Sequence, residues 1–234
     1  MTATEPPLAG EPAPATAPPL AAFPALAEPP PADVGWAVAE PWLRSGFKAL
    51  NRWFMVPIHR AGLGAWLSSP IGGYMLLLRV RGRKSGVMRE TPLSYLVAEG
   101  SAWVMAGFGP RTEWYRNLLA DPHVEAWMPG GRHAGVATEE LDPAVRARIL
   151  PVLARATGAP AFLTGLNPWT ASDETILASV AWVPLVRVRP DDGPLEPGPD
   201  DPGGRAWIWR QAVALGISWL AWRVSRRTLG RLLG

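Results

Sequence analysis

Cysteine is absent from this 234-residue chain, which removes disulfide bonds and thiolate metal sites from consideration. Histidine is scarce. His59, His123 and His133 fall in unrelated contexts with no ligand spacing, so a metalloenzyme is not expected. No paired carboxylates, no Ser-His-Asp arrangement and no Gly-x-Gly-x-x-Gly run after a strand can be found, which argues against a hydrolase and against a dinucleotide-binding α/β fold. Basic residues interleaved with aromatics along one face are missing outside a single turn, so nucleic acid is not an expected partner. Each end of the chain lacks one sign of charge: residues 1–41 hold no Lys or Arg, and residues 205–234 hold no Asp or Glu.

What is present is 48% apolar residues, enough for one catalytic-size domain, expected over residues 34–190. Residues 1–33 are rich in Pro and Ala and lack periodicity, which predicts a disordered or polyproline-like tail. No positive segment precedes an apolar core there, so a signal peptide is not expected and the protein is read as cytoplasmic. From Pro41, the apolar residues Leu43, Phe47, Leu50 and Phe54 recur at helical spacing beside Arg44, Lys48 and Arg52. The pattern is an amphipathic helix with a basic flank, which can pack on the body or meet a membrane surface.

The centre of the chain is an apolar run from Tyr74 to Arg81, a turn Gly82-Arg83-Lys84-Ser85-Gly86, and a second run from Val87 to Tyr95. The spacing predicts a β-hairpin whose glycines supply the positive-φ positions. Arg83, Lys84, the Ser85 hydroxyl, the backbone at Gly86 and Arg89 on the returning strand together form a cluster suited to a phosphate or carboxylate. Ala102 to Ala106 reads as a short buried strand, and Thr112 is expected to cap a helix through Trp114 and Asn117. Strands at 124–128 and 133–140 follow, then a helix opened by Asp142-Pro143. Residues 158–173 read as a mobile loop. Ser172 opens a short helix, and 184–189 reads as a closing strand.

The hairpin, together with Thr91-Pro92-Leu93, Gly107-Phe108-Gly109, Trp114-Tyr115-Arg116-Asn117-Leu118 and Asp121-Pro122-His123, resembles the deazaflavin (F420)-dependent nitroreductase family over roughly 47–190. The resemblance implies an α+β protein built on an FMN-binding-like split β-barrel of about six antiparallel strands with flanking helices. It also implies coenzyme F420 as cofactor, held by Arg83, Lys84, Ser85, Gly86 and Arg89 at its phosphate and tail. Thr91, Pro92 and Leu93 would lie against the ring, with Met105, Ala106, Gly107 and Asn117 close by. The implied activity is hydride transfer from reduced F420 to a small or lipophilic electrophile such as a quinone, an enone or a nitroaromatic. A split barrel can instead take FMN, or bind a cofactor without turnover. Two departures stand out: Gly107-Phe108 replaces the frequent Ser-Lys, and 158–173 holds no tyrosine, which leaves Phe162 and Trp169 as the candidate lid and puts nitroreduction in question. No catalytic acid is assigned, and a monomer or homodimer is expected.

Residues 191–204 carry four prolines and five acids and read as a flexible linker. Beyond it, Ala206 to Trp222 is apolar and tryptophan-rich, and the stretch ends in arginines. The uninterrupted apolar part is shorter than the roughly 20 residues that span a bilayer, so a peripheral contact with the inner face of the cell membrane is expected. The alternative is packing on the body or on a second subunit.

Overall fold

The computed structural model describes residues 45–46 and 48–232; the tail at 1–33 and the helix positions Leu43, Arg44 and Phe47 lie outside the described residues. Helix leads into the fold through a π-helical turn at Asn51–Met55, then α1 (Val56–Arg60) and α2 (Gly64–Leu67). Of the predicted apolar face, Leu50 and Phe54 are exposed and Met55 alone of the π-helical turn is buried. The strands are β1 (Met75–Arg81), β2 (Met88–Ala98), β3 (Ser101–Met105), β4 (His123–Met128), β5 (Gly131–Glu139) and β6 (Leu185–Pro190). The helices between and after them are α3 (Glu113–Leu118), α4 (Pro143–Ala156), α5 (Asp173–Val180) and α6 (Ala206–Leu232).

The six strands close into one antiparallel barrel in the order β1-β2-β3-β6-β5-β4, the split-barrel architecture expected from the resemblance. Period-two alternation explains the inside and the outside. Leu76, Leu78 and Val80 of β1, Tyr95 and Val97 of β2, and Val186 and Val188 of β6 share the main core cluster. The opposite face of β2, β3 and β6 carries Leu96, Trp103 and Leu185, which pack with Ile149, Leu150 and Leu153 of α4. Gly135 on β5 is required by a close approach: an added Cβ would stand 2.2 Å from the Arg189 carbonyl oxygen.

Three expectations are corrected. Thr112 does not cap α3, because its hydroxyl donates 2.7 Å to the Gly109 carbonyl. Residues 158–173 are not loop throughout: a 3₁₀ helix forms at Ala159–Thr164, and Leu166 is buried with Ala154 and Ile176. The acidic stretch 191–204 is laid against the barrel rather than strung beside it. Leu195 bridges Gly100 and packs on the core, and Asp201 is only 6% exposed. By contrast, Asp142 and Ser172 cap α4 and α5 as expected, accepting from the Ala144 and Thr175 N–H groups.

Candidate functional site

β1 and β2 pair over their full facing length, from Met75 opposite Ser94 to Arg81 opposite Met88. Their turn closes on itself, with Gly82 N–H donating to Val87 O at 2.9 Å and Gly86 N–H donating to Gly82 O at 2.7 Å. Gly86 sits at φ 67°, a conformation that side-chain-bearing residues rarely adopt, and nothing lies within 4 Å of where its Cβ would be. The turn tip is therefore open to a ligand.

The basic residues of the turn divide into two sets. Arg83 is turned back onto α3: its N–H and Nη1 donate to Asn117 Oδ1 at 3.2 and 2.8 Å, and Nη1 also meets Glu113 Oε2 at 2.8 Å. The hydrogen bond from Arg83 holds the Glu113 carboxyl below the usual range. Asn117 is buried, and its oxygen is occupied by the turn, so Asn117 and Arg83 shape the loop from behind. Lys84 is exposed and forms no ion pair among the described residues. Arg89 is also exposed and donates to Ser85 Oγ at 3.4 Å. Lys84, Ser85 and Arg89 are the groups left to face an anion. Glu113 escaped the sequence reading, although it lies one helical turn before Asn117, on the same face of α3.

The second half of the site is a break in the sheet. β2 pairs with β3 from Tyr95–Val104 to Ala98–Ser101, and the ladder ends there. Continued in the same register, Ser94 would oppose Met105 and Leu93 would oppose Ala106, but no pairing forms. Thr91, Pro92 and Leu93 lie on the β2 side of this gap in the ladder and Met105, Ala106 and Gly107 on the β3 side; Pro92 and Ala106 are buried there, and Leu93 is half-buried against the core. Val87 O and Tyr95 N–H both bond toward the β1 side, so the alternate residues Glu90, Pro92 and Ser94 turn their backbone toward the gap. Proline at that edge removes one donor that would otherwise stand unpaired.

Phe162 and Trp169 are brought together edge to face, 5.2 Å between ring centroids, and both are exposed. Leu166 of the same segment is buried in a cluster that packs against Met105 at the end of β3. Behind α3, the Tyr115 hydroxyl donates to Glu139 Oε2 at 2.5 Å while Glu139 Oε1 is buried without a partner. Burial pushes the Glu139 carboxyl above its ordinary range and raises Tyr115 as well.

A separate cavity of about 250 Å³ lies between α1–α2 and the β4–β5 hairpin, near Met75 at the far end of β1 from the basic turn. Its charged groups are already engaged: Arg60 by Glu90, and Arg132 by the Trp127 ring at 3.8 Å. Among the described residues no three His, Cys, Asp or Glu side chains gather to hold a metal ion.

Residues 58–159 match the F420H(2)-dependent quinone reductase family. The matched segment contains the basic turn, both sides of the gap, and Glu113 and Asn117 of α3. Phe162, Trp169 and all of α6 fall beyond the quinone reductase match. No curated protein matches the chain. Similar solved structures include the conserved hypothetical protein Rv2991 of Mycobacterium tuberculosis, at 19% identity over 56% of this chain and 79% of that one, TM-score 0.39. An F420-H2 dependent reductase, FDR-A, is 21% identical over 49% of this chain and 93% of its own, TM-score 0.35. HutZ, the heme storage protein of Vibrio cholerae, is 16% identical over 53% and 83%, TM-score 0.35.

Proposed function

We propose that this protein is a reductase that takes a hydride from reduced coenzyme F420 and delivers it to a lipophilic electrophile, quinones foremost, with enones and nitroaromatics as further acceptors. The observation that carries the reading is the unpaired gap between Ser94 and Met105 lying on the hairpin strand that ends in the Lys84–Ser85–Arg89 cluster. The residues fit an anionic, planar cofactor. Lys84 and Arg89 offer charge to its phosphate and carboxylates, the space beside Gly86 admits close approach, and the half-buried Leu93 gives the unpaired stretch of β2 an apolar neighbour for the ring.

When bound, the reduced deazaflavin supplies the hydride from C5. The chain's own groups position and shield. Arg83, Glu113 and Asn117 hold the turn in shape, and Met105 and Ala106 close the gap from the β3 side. Phe162 and Trp169 form a lid that excludes water from the acceptor's apolar body. Neither lid side chain carries a proton to give, so the proton that completes a quinone's reduction to hydroquinone comes from solvent. On this reading the protein works in the cytoplasm, as a monomer or a homodimer.

The test is anaerobic incubation of the full chain with reduced F420 and a water-soluble quinone, following the return of oxidised-deazaflavin absorbance. Oxidation that needs both protein and quinone supports the proposal. Bound FMN with no F420 turnover would favour a flavin-dependent reductase, and binding of F420 without turnover would favour a carrier.

A further inference from the structure

The C-terminal helix α6 leaves the body after a short docked base. Trp209 packs edge-on against Trp66 of α2 at 5.7 Å, and Arg210 is held by Asp200 and by the Ala65 carbonyl. Beyond that base every residue from Leu215 to Leu220 is exposed, as are Trp222 and Arg223. A helix turns 100° per residue, so six consecutive exposed positions face all directions and this part of α6 stands clear of the barrel. The side chains that it shows are wrong for water: Leu215 is 70% exposed, and Ile217, Trp219, Leu220 and Trp222 are each more than half exposed.

Charge selects what covers them. Residues 205–234 contain six arginines and no acid. Arg223 lies over the Trp219 ring at 5.1 Å and Arg226 over Trp222 at 4.8 Å, which places guanidinium groups directly beside the exposed indoles. A second copy of α6 would bring more arginines against these, whereas an anionic surface would neutralise them. The stretch between Arg210 and Arg223 is about 18 Å long at 1.5 Å per residue, short of the roughly 30 Å hydrocarbon core. Among the described residues no helix is long and apolar enough to cross a membrane. Gln211, Ala214 and Ser218 form a narrow small and polar stripe at helical spacing, with Ser218 Oγ bonded to the Ala214 carbonyl, so the helix has one side suited to water.

The same chemistry recurs in a segment remote in sequence. Trp53, 76% exposed, carries Arg52 over its ring at 5.4 Å, with Phe54 exposed beside it. This segment runs through α1 into α2, whose Trp66 is the contact for α6. We propose that α6 and the helical segment before β1 form one platform, joined at Trp66–Trp209, that seats the protein along an anionic lipid surface, indoles and aliphatics in the interface and arginines at the headgroups. The seating does not depend on which cofactor the barrel takes.

The experiment is co-sedimentation of the full chain with phosphatidylcholine vesicles, with and without phosphatidylglycerol. The expected result is binding to the anionic vesicles that falls with salt and is lost in Trp219→Glu/Leu220→Glu, with an unchanged melting temperature because both sites are exposed. Arg223→Gln/Arg226→Gln should weaken the partition coefficient by about fivefold per arginine, and Trp53→Glu should weaken it without touching α6. Failure of the wild type to bind anionic vesicles would overturn the proposal, as would equal binding by Trp219→Glu/Leu220→Glu. A lipid-free dimer that dissociates in Trp219→Glu/Leu220→Glu, with no vesicle binding by the wild type, would assign the surface to a second copy and also overturn it.

Discussion

The Tyr95 hydroxyl donates a 2.5 Å hydrogen bond to Asp201 Oδ1, joining the barrel interior to a segment 106 residues further along the chain. Tyr95 is the last β2 residue paired to β3 before the gap, and Asp201 Oδ2 accepts from Gly198 N–H at 2.6 Å. Burial, and then the Asp201 carboxylate, push the phenol above its ordinary range, so it stays a donor at any working pH. One bond thus ties the end of the β2–β3 ladder to the segment that leads into α6.

Tyr95→Phe keeps the ring packing and removes the donor, which leaves a nearly buried carboxylate oxygen unpaired. The expected loss is about 1–3 kcal/mol of stability, the range for a buried hydrogen bond to a charged group. Amide exchange should accelerate first over 198–204. Equal melting of the two proteins with unchanged exchange there would show that the latch contributes nothing.

Asn117→Ala removes the acceptor that holds both the backbone and the guanidinium of Arg83. The turn should loosen, with a stability loss of about 1–2 kcal/mol and faster exchange at 83–86. With the turn holding the cofactor as proposed, affinity should fall although the Asn117 oxygen is taken up by Arg83. Unchanged affinity in a variant with a visibly loosened turn would mean that the turn does not hold the cofactor.

Glu139 predicts a pH dependence. Burial raises its folded-state carboxyl above the ordinary value of 4.5, so the folded protein binds the proton more tightly than the unfolded chain does. Stability from this group is full below about 4.5 and falls as pH rises from there through the raised folded value, then levels off. Glu139→Gln should flatten that part of the denaturation profile. Parallel profiles for the two proteins between acidic and neutral pH would contradict the assignment.

Phe162→Ala/Trp169→Ala should raise KM for a quinone several-fold and leave F420 affinity unchanged, because the proposed lid covers the acceptor and the pair lies outside the turn. A fall in cofactor affinity of the same size would move the pair from the lid to the cofactor pocket.

Locally encoded features were legible in the sequence. Leu76, Leu78 and Val80 announce β1 by alternation, and two glycines around Arg83-Lys84-Ser85 announce the turn. The Asp142 and Ser172 caps are equally local. What escaped depends on partners far away in the chain. Arg83 reads as a ligand-facing cation until Glu113 and Asn117, on a helix thirty or more residues later, claim it. Proline and acid between 191 and 204 read as a flexible linker, but Leu195 finds the core and Asp201 finds Tyr95. Thr91 to Leu93 and Met105 to Gly107 are singled out as cofactor contacts by the resemblance alone, whereas the place where β2 parts from β3 follows from strand register, which no local pattern carries. Thr112 had the right residue type for a cap, yet the Gly109 carbonyl competes for its hydroxyl.

Binding of F420 at the unpaired ladder with its anionic end on Lys84 and Arg89, as proposed, is checked by equilibrium titration of the purified full chain. The wild type should bind F420 more tightly than FMN. Lys84→Ala and Arg89→Ala should each weaken F420 by about 1–3 kcal/mol, the scale of a charge-assisted contact, with melting temperatures unchanged. Preference for FMN, or undiminished F420 affinity in both variants at low salt, would contradict the account.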